Sequence, residues 1–235
     1  MSVRLARRGS VSASRRVGAG GGAGPVILYD RDYTAKAVQI WTVSGQEASY
    51  PEDVLVDDNY RRWDIKAISG VNHLVYASTT GTGAGTQRII GDIGLAGWNH
   101  KLRMESRARV YTERSRWILR KPIGSGNFES SWICAYSKQD SDFGAGNGIF
   151  WVLRVGSELK AEHMLGSSRT TPVTADLDIE DDHGTIRMFV NGVEVITYTL
   201  TSAERAEFEN ATGVGLSQGT ANSNYGWERL RIIRE

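Results

Sequence analysis

The chain has 235 residues, 28 basic and 27 acidic side chains and a hydrophobic fraction of 40%, which is typical of globular proteins that bury a core. It contains no apolar stretch near the roughly 18 residues that a membrane span requires, so we expect no membrane partner. The single cysteine, Cys134, excludes an intrachain disulfide and a cysteine-rich zinc site. Packing or assembly must therefore stabilise the chain.

Residues 1–24 form a basic arm. They contain no acid, and 14 of the 24 are Gly, Ala or Ser. Such a segment cannot bury enough apolar surface to offset its ordering entropy, so we expect it to be disordered alone or ordered by a partner. Its charges are Arg4, Arg7, Arg8, Arg15 and Arg16.

The arm has three alternative interpretations. It could be a strap that folds onto a neighbouring subunit, a tail that binds nucleic acid or another polyanion, or a solvated tail without a partner. A twin-arginine export signal is not expected, because Arg15 and Arg16 are followed by glycines rather than by an apolar region. We favour the strap over nucleic acid.

From Pro25 onward, short β-branched and aromatic runs alternate with turn residues, which predicts an all-β protein. Without crossover helices, the strands must form antiparallel sheets stacked face to face. We divide this part into residues 25–89, which belong to the sandwich or form a small docking region, and a sandwich over 90–235. The predicted strands are 26–29, 38–43, 64–68, 73–77, 101–111, 117–120, 130–137, 149–155, 162–165, 173–180, 185–190, 193–199, 213–217 and 227–233.

Two local motifs predict specific backbone structures. Asn191-Gly192 joins two alternating runs and predicts a two-residue hairpin turn, with Val190 opposite Val193, Met188 opposite Val195 and Ile186 opposite Thr197. Thr201, followed three residues later by Glu204, predicts a capping box that opens a helix of about two turns ending before Gly213.

The order of this hairpin, the run Gly213-Val214-Gly215-Leu216 and a last strand from Trp227 resembles concanavalin A-like lectin and glucanase domains, including laminin-G-like modules. The resemblance implies an antiparallel jelly-roll β-sandwich. Together with the basic arm, the layout also resembles minor tail proteins of bacteriophages that infect actinobacteria.

Laminarinase-type glycoside hydrolases carry a strand motif Glu-x-Asp-x-Glu. By resemblance, Asp176 would be the nucleophile, Asp178 the helper and Glu180 the acid/base. The period of a strand places all three on one face, but Asp in the first position shortens the carboxylate reach that a retaining site needs. The alternative is an ion-paired solvated face, with Arg187 opposite Asp178 or Glu180.

We predict no cofactor and no metal, with calcium as the alternative at the loop that contains Asp140, Asp142 and Asn147. These side chains offer hard oxygen ligands, but the loop lacks the glutamate of an EF-hand at its twelfth position. Turn residues also explain the loop without a metal.

Exposed aromatic rings are common platforms for sugars. Most of the seven tryptophans occur in strand-like runs and should be core residues. Trp98 and Tyr225 lie among loop residues, so we predict that they are exposed and bind glycan.

These observations leave three hypotheses. The first is a virion component, a phage minor tail protein that forms a homo-oligomer, attaches to other virion proteins through its arm and contacts host surface polysaccharide. The second is a free carbohydrate-binding module, and the third is an endoglycanase. We favour the first, because a free lectin or hydrolase has no need of an arginine-rich strap.

Overall fold

A computed structural model describes residues 24–35, 62–77, 87–92, 96–111, 113–122, 132–218 and 225–235. The arm with its five arginines lies outside these residues. So does the strand predicted at 38–43.

Within the described residues the chain forms fourteen strands and one short helix, which confirms the all-β prediction. No described helix has the length and apolar character of a membrane span. Strand β4 has no counterpart among the predicted strands. The elements are β1 (Val26–Asp32), β2 (Arg62–Ile68), β3 (Val71–Ala77), β4 (Gln87–Asp92), β5 (Lys101–Val110), β6 (Glu113–Lys121), β7 (Ile133–Gln139), β8 (Ile149–Val155), β9 (Glu158–Gly166), β10 (Val173–Asp182), β11 (Thr185–Val190), β12 (Val193–Thr199), α1 (Ser202–Phe208), β13 (Gly213–Gln218) and β14 (Gly226–Arg234).

The strands form two antiparallel sheets packed as a sandwich. One sheet has the order β12-β11-β10-β5-β14-β3-β2, with β1 also paired to β14, and the other has the order β4-β13-β6-β7-β8-β9. Strand β1, which lies within residues 25–89, pairs with β14. Strand β4 begins in that segment, ends at Asp92 and pairs with β13. Strand β3 also contacts β14, where Trp227 pairs with Leu74.

Buried and outward-facing side chains alternate strictly along β5, which places one face of the strand against the other sheet. Leu102, Met104 and Ala108 are buried between the sheets, whereas Arg103 and Arg107 point to the outer side. Such period-two patterning is what a sheet with one buried face requires. The outer face of the eight-stranded sheet is therefore charged.

The hairpin of β11 and β12 departs from its predicted register. Val190 pairs with Val193 as predicted, but Met188 pairs with Ile196 and Ile186 with Tyr198. A bulge at Val195 causes the shift. Regular alternation would turn the Ile196 side chain outward, so the extra residue lets it pack in the core opposite Met188.

Helix α1 confirms the predicted capping box. The Thr201 side chain accepts from the Glu204 backbone N–H, and the Thr201 backbone N–H donates to Glu204 Oε2 at 2.7 Å. Lys160 on β9 lies 3.0 Å from the same carboxylate. Burial opposes ionisation of Glu204, but the Thr201 N–H and the Lys160 ammonium outweigh it and lower its pKa to about 2.

The predicted core tryptophans Trp117, Trp132, Trp151 and Trp227 are fully buried, and Cys134 is buried as well. The side chain of Trp117 on β6 lies between Trp151 and Trp227, with ring centroids 5.7 and 5.8 Å away in edge-to-face geometry. This cluster joins the two sheets.

A buried ion pair also joins the sheets. Arg120 on β6 donates from Nε to Asp181 Oδ2 on β10 at 2.7 Å, and the two side chains are 2% and 0% exposed. Asp181 Oδ1 accepts from the Gly184 N–H at 2.8 Å, which also fixes the β10–β11 turn. The guanidinium of Arg120 stacks on Trp98, 3.9 Å from the ring centroid.

Candidate sugar-binding groove

Three acidic side chains of β10 lie on the outer face of the eight-stranded sheet, as the alternation predicted. In the register with β5, Asp176 is opposite Arg107 and Glu180 is opposite Arg103. Asp176 Oδ1 accepts from Arg107 at 3.1 Å, and Asp178 Oδ2 accepts from Arg103 at 3.1 Å. The acids of this row therefore have cationic partners across the strands.

Glu180 has the most enclosed position of the three. Its carboxylate lies 3.1 Å from Lys101 Nζ and 3.3 Å from Arg187 Nη1, and its side chain is 3% exposed. The register confirms that Arg187 faces Glu180. A solvated position was the wrong expectation for Glu180, because the long side chains of β5 and β11 cover it.

The Asp178 side chain is 14% exposed, between the 52% of Asp176 and the 3% of Glu180. Burial raises the pKa of Asp178, although the hydrogen bond from Arg103 acts in the opposite direction. The Ser106 backbone N–H also donates to its Oδ1 at 3.2 Å. Its carboxylate is thus fixed in direction by β5.

A groove of about 380 Å³ opens on this face, within the size range of small-molecule sites. It runs along β10, β5 and β14 and is bordered by the β11–β12 turn. All of its described lining residues except Gly192 carry charged or polar side chains, and none is aromatic. The lining residues are Glu105, Ser106, Arg107, Asp176, Asp178, Asn191, Gly192 and Arg229.

Two arginines stand side by side in the groove. Arg229 on β14 is directly opposite Arg107 on β5, an arrangement that costs free energy when both charges lack partners. Arg107 is held by Asp176 and Glu228. Among the residues that the structure describes, no carboxylate comes within 4 Å of the exposed Arg229 guanidinium, although Asp32 lies opposite Arg229 on β1 and feels its charge at longer range.

Asn191 reaches the groove through the hairpin turn. Its φ of 51° and that of Gly192, 80°, confirm the left-handed turn that Asn-Gly predicted. The Asn191 backbone N–H donates to the Asp176 carbonyl at 2.9 Å, and Asn191 Oδ1 accepts from the Asp176 N–H at 3.1 Å. The amide Nδ2 remains as a donor beside the groove.

The two predicted sugar-binding aromatics have different surroundings from those expected. Tyr225 is 1% exposed, so the prediction that it is exposed is wrong. Trp98 is half-buried against the core, donates from Nε1 to the Arg205 carbonyl at 3.1 Å and has Arg120 stacked on its ring. Both side chains are used for packing at the ends of strands.

The loop predicted as an alternative calcium site is held by ion pairs. Asp142 bonds to Lys138, and Asp140 bonds to Arg169. The described part of the chain contains no group of three or more His, Cys, Asp or Glu side chains placed to hold a metal. Asn147 is exposed at the end of this loop.

The same loop carries a residue that the sequence analysis missed. The Phe143 side chain is 55% exposed, whereas the other Phe, Tyr and Trp side chains whose exposure the structure describes are buried or partly buried. Its position after Asp140-Ser141-Asp142 and before a Gly-rich run indicates a turn. That pattern alone carries no signal for the direction of the ring.

Comparison with known proteins supports the fold. No family model matches the sequence, and no curated protein is significantly similar to it. Among solved structures, lectin I-B4 from Griffonia simplicifolia has a TM-score of 0.50 at 12% identity, over 88% of this chain and 99% of the lectin. A glycoside hydrolase family 16 endo-glucanase from Bacteroides ovatus has a TM-score of 0.48 at 10% identity, over 89% and 99%.

An alginate lyase from Alteromonas sp. 272 has a TM-score of 0.36 at 11% identity, over 66% of this chain and 82% of the lyase. At such low identities a likeness concerns the fold alone. The chain is an antiparallel jelly-roll β-sandwich of the concanavalin A-like type, similar in its fold to lectin I-B4.

Proposed function

We propose that the protein is a carbohydrate-binding module and that the groove on its eight-stranded sheet is the sugar site. One observation carries this proposal: hydrogen-bond donors and acceptors face each other in a single cavity. Arg229 and Asn191 supply donors, while Asp176 and Glu105 supply acceptors. Neighbouring hydroxyls of a sugar both donate and accept, and charged partners strengthen such bonds.

We infer further that the groove binds without hydrolysis. Glu180, the acid/base candidate, does not line the groove and is covered by Lys101 and Arg187. A general acid must come within hydrogen-bond reach of the glycosidic oxygen, and a side chain that is 3% exposed offers no such approach. Asp176, the nucleophile candidate, is bonded to Arg107.

We also propose that the module works as part of a phage tail, attached to other virion proteins through residues 1–24 and directed at host surface polysaccharide. The arm supplies +5 to a net charge of +1, so the remainder carries −4. An arginine-rich segment of this kind suits an acidic neighbour, including a second copy of the chain.

Arginine replacement in the groove tests the sugar site. We expect Arg229→Gln to weaken binding to a soluble polysaccharide about tenfold, since it removes charged hydrogen bonds. Affinity electrophoresis in gels that contain laminarin, xylan or alginate measures this change. Arg154→Gln is the matched control, because it removes the same charge from β8 in the six-stranded sheet and does not line the groove.

Equal retention of the wild-type chain and the Arg229→Gln variant would contradict the assignment of the groove. A reducing-sugar assay on the same polysaccharides separates binding from hydrolysis. Release of reducing ends by the wild type, lost on Glu180→Gln, would overturn the non-hydrolytic proposal and favour the endoglycanase.

The native mass of the full-length chain tests the role of the arm. We expect a defined oligomer that dissociates to monomer when residues 1–24 are deleted, as measured by light scattering after size-exclusion chromatography. Circular dichroism of the shortened chain checks that the sandwich remains folded. Identical masses for two folded proteins would count against the strap and leave a free module.

A further inference from the structure

The loop between β7 and β8 presents a fixed, exposed aromatic ring, and we propose that Phe143 is a second sugar platform, on which a β-linked glucan chain stacks. This platform rests on the proposed carbohydrate function and lies outside the groove. It belongs to the six-stranded sheet, whereas the groove lies on the eight-stranded sheet.

Hydrogen bonds fix the loop before any ligand arrives. Ser141 Oγ accepts from the backbone N–H of Phe143 at 3.0 Å and from that of Ala145 at 2.8 Å. Glu162 on β9 bonds to the Ser141 hydroxyl and accepts from the Asp142 N–H at 2.9 Å. Because these bonds hold the backbone on both sides of the ring, a ligand would lose little affinity to ordering of the loop.

The loop closes on itself as well. The Asp140 N–H donates to the Gly148 carbonyl at 3.0 Å, and the Ser141 N–H donates to the Gly146 carbonyl at 3.1 Å. Exposure of Phe143 is therefore not a consequence of a loose loop. The backbone around it is tied, and the ring is directed outward at 55% exposure.

The surroundings of the ring favour a sugar over a protein partner. Two ion pairs belong to the loop that carries it, one between Asp142 and Lys138 and one between Asp140 and Arg169. A stable protein interface buries about 800 Å² of each partner around such an anchor. A pyranose instead offers one flat C–H face bordered by hydroxyls, which fits a single ring with a charged rim.

The class of sugar follows from the same geometry. In a β-linked glucose chain the hydroxyls and linkages are equatorial, so each ring keeps two flat C–H faces for stacking. Lys138, Asp142 and Arg169 can bond to the equatorial hydroxyls around the rim. An axial hydroxyl, in contrast, occupies one of the two faces of a sugar ring and leaves only the other face for stacking.

Replacement of the ring tests the platform. With barley mixed-linkage β-glucan as the probe, we expect Phe143→Ala to weaken retention of the full chain in affinity electrophoresis about tenfold. Phe143→Trp should retain or strengthen binding, because a larger ring preserves the stacking surface. Val71→Ala is the control, since it shortens an exposed apolar side chain on β3 of the other sheet that does not line the groove.

The outcomes separate the two proposals. Wild-type retention on β-glucan that is unchanged in Phe143→Ala overturns the platform and leaves the groove to be judged by Arg229→Gln. Loss in Phe143→Ala that Phe143→Trp does not rescue also overturns a stacking role. Absence of wild-type retention on every polysaccharide tested overturns the carbohydrate function and the platform with it.

Discussion

Replacing Asp181 by Asn is expected to destabilise the sandwich by about 3 to 5 kcal/mol. The carboxylate is the ion-pair partner of Arg120, and neither side chain reaches solvent. Arg120 keeps its positive charge when the carboxylate is removed, so an uncompensated charge would remain between the sheets. The remaining neighbours, the Trp98 ring and His100, cannot neutralise it.

Equilibrium unfolding in urea measures this loss. Asp176→Asn is the matched control, because Asp176 also pairs with an arginine but its side chain is 52% exposed. Exposed pairs contribute about 1 kcal/mol or less. A loss for Asp181→Asn no larger than that of the control would show that the buried pair has little role in stability.

A double substitution separates the charge from the packing. Arg120→Met combined with Asp181→Leu removes both charges and fills similar volume, which is often neutral or stabilising for buried pairs. Some cost should remain, because the Gly184 N–H loses its acceptor at Asp181 Oδ1. We therefore expect the double variant to unfold at higher urea than Asp181→Asn alone.

Local patterns predicted most strand positions because alternation and turn chemistry are local. Strands β8, β11 and β12 match their predicted bounds, and the Asn191-Gly192 turn has the predicted backbone. The bulge at Val195 was missed, since it depends on which side chain fills the core opposite Met188. Packing against the opposing sheet, which the hairpin sequence does not contain, determines which side chain occupies that position.

The groove was accessible to sequence reasoning only in part. Period two placed Asp176 on the same face as its neighbours on β10, but Arg229 reaches the groove through pairing of strands far apart in the chain. Asn191 was recognised for its turn, whereas its bonds to Asp176 arise because the hairpin folds back on β10. Contacts of this kind depend on which strands pair in the sheet, and the local sequence pattern does not predict that pairing.

Aromatic exposure was the weakest sequence inference. Polar loop residues surround both Tyr225 and Phe143 in the sequence, yet the former is buried and the latter exposed. Tyr225 immediately precedes β14, so the strand carries it into the sheet. Phe143 follows Ser141, whose hydrogen bonds turn the loop outward. Composition cannot distinguish these two cases, because packing of the adjacent strand decides them.

The other large effect is expected at the centre of the core, where Trp117→Ala should cost about 3 to 5 kcal/mol of unfolding free energy. The ring is fully buried and meets Trp151 and Trp227 edge to face. Its Nε1 donates to Ser106 Oγ at 2.7 Å, and that hydroxyl donates to the Leu177 carbonyl at 2.6 Å. One side chain thus links β6 to β5 and β10.

Trp117→Phe separates packing from hydrogen bonding, because it keeps an aromatic ring but removes the donor to Ser106. We expect a smaller loss of about 1 to 3 kcal/mol, from the lost bond and the unfilled volume. Urea unfolding measures the free energy of unfolding of both variants. The exposed Val193→Ala variant is the control and should lie within about 0.5 kcal/mol of wild type. Equal losses for Trp117→Phe and Trp117→Ala would mean that the bond to Ser106, rather than burial of the ring, holds the two sheets together at this point.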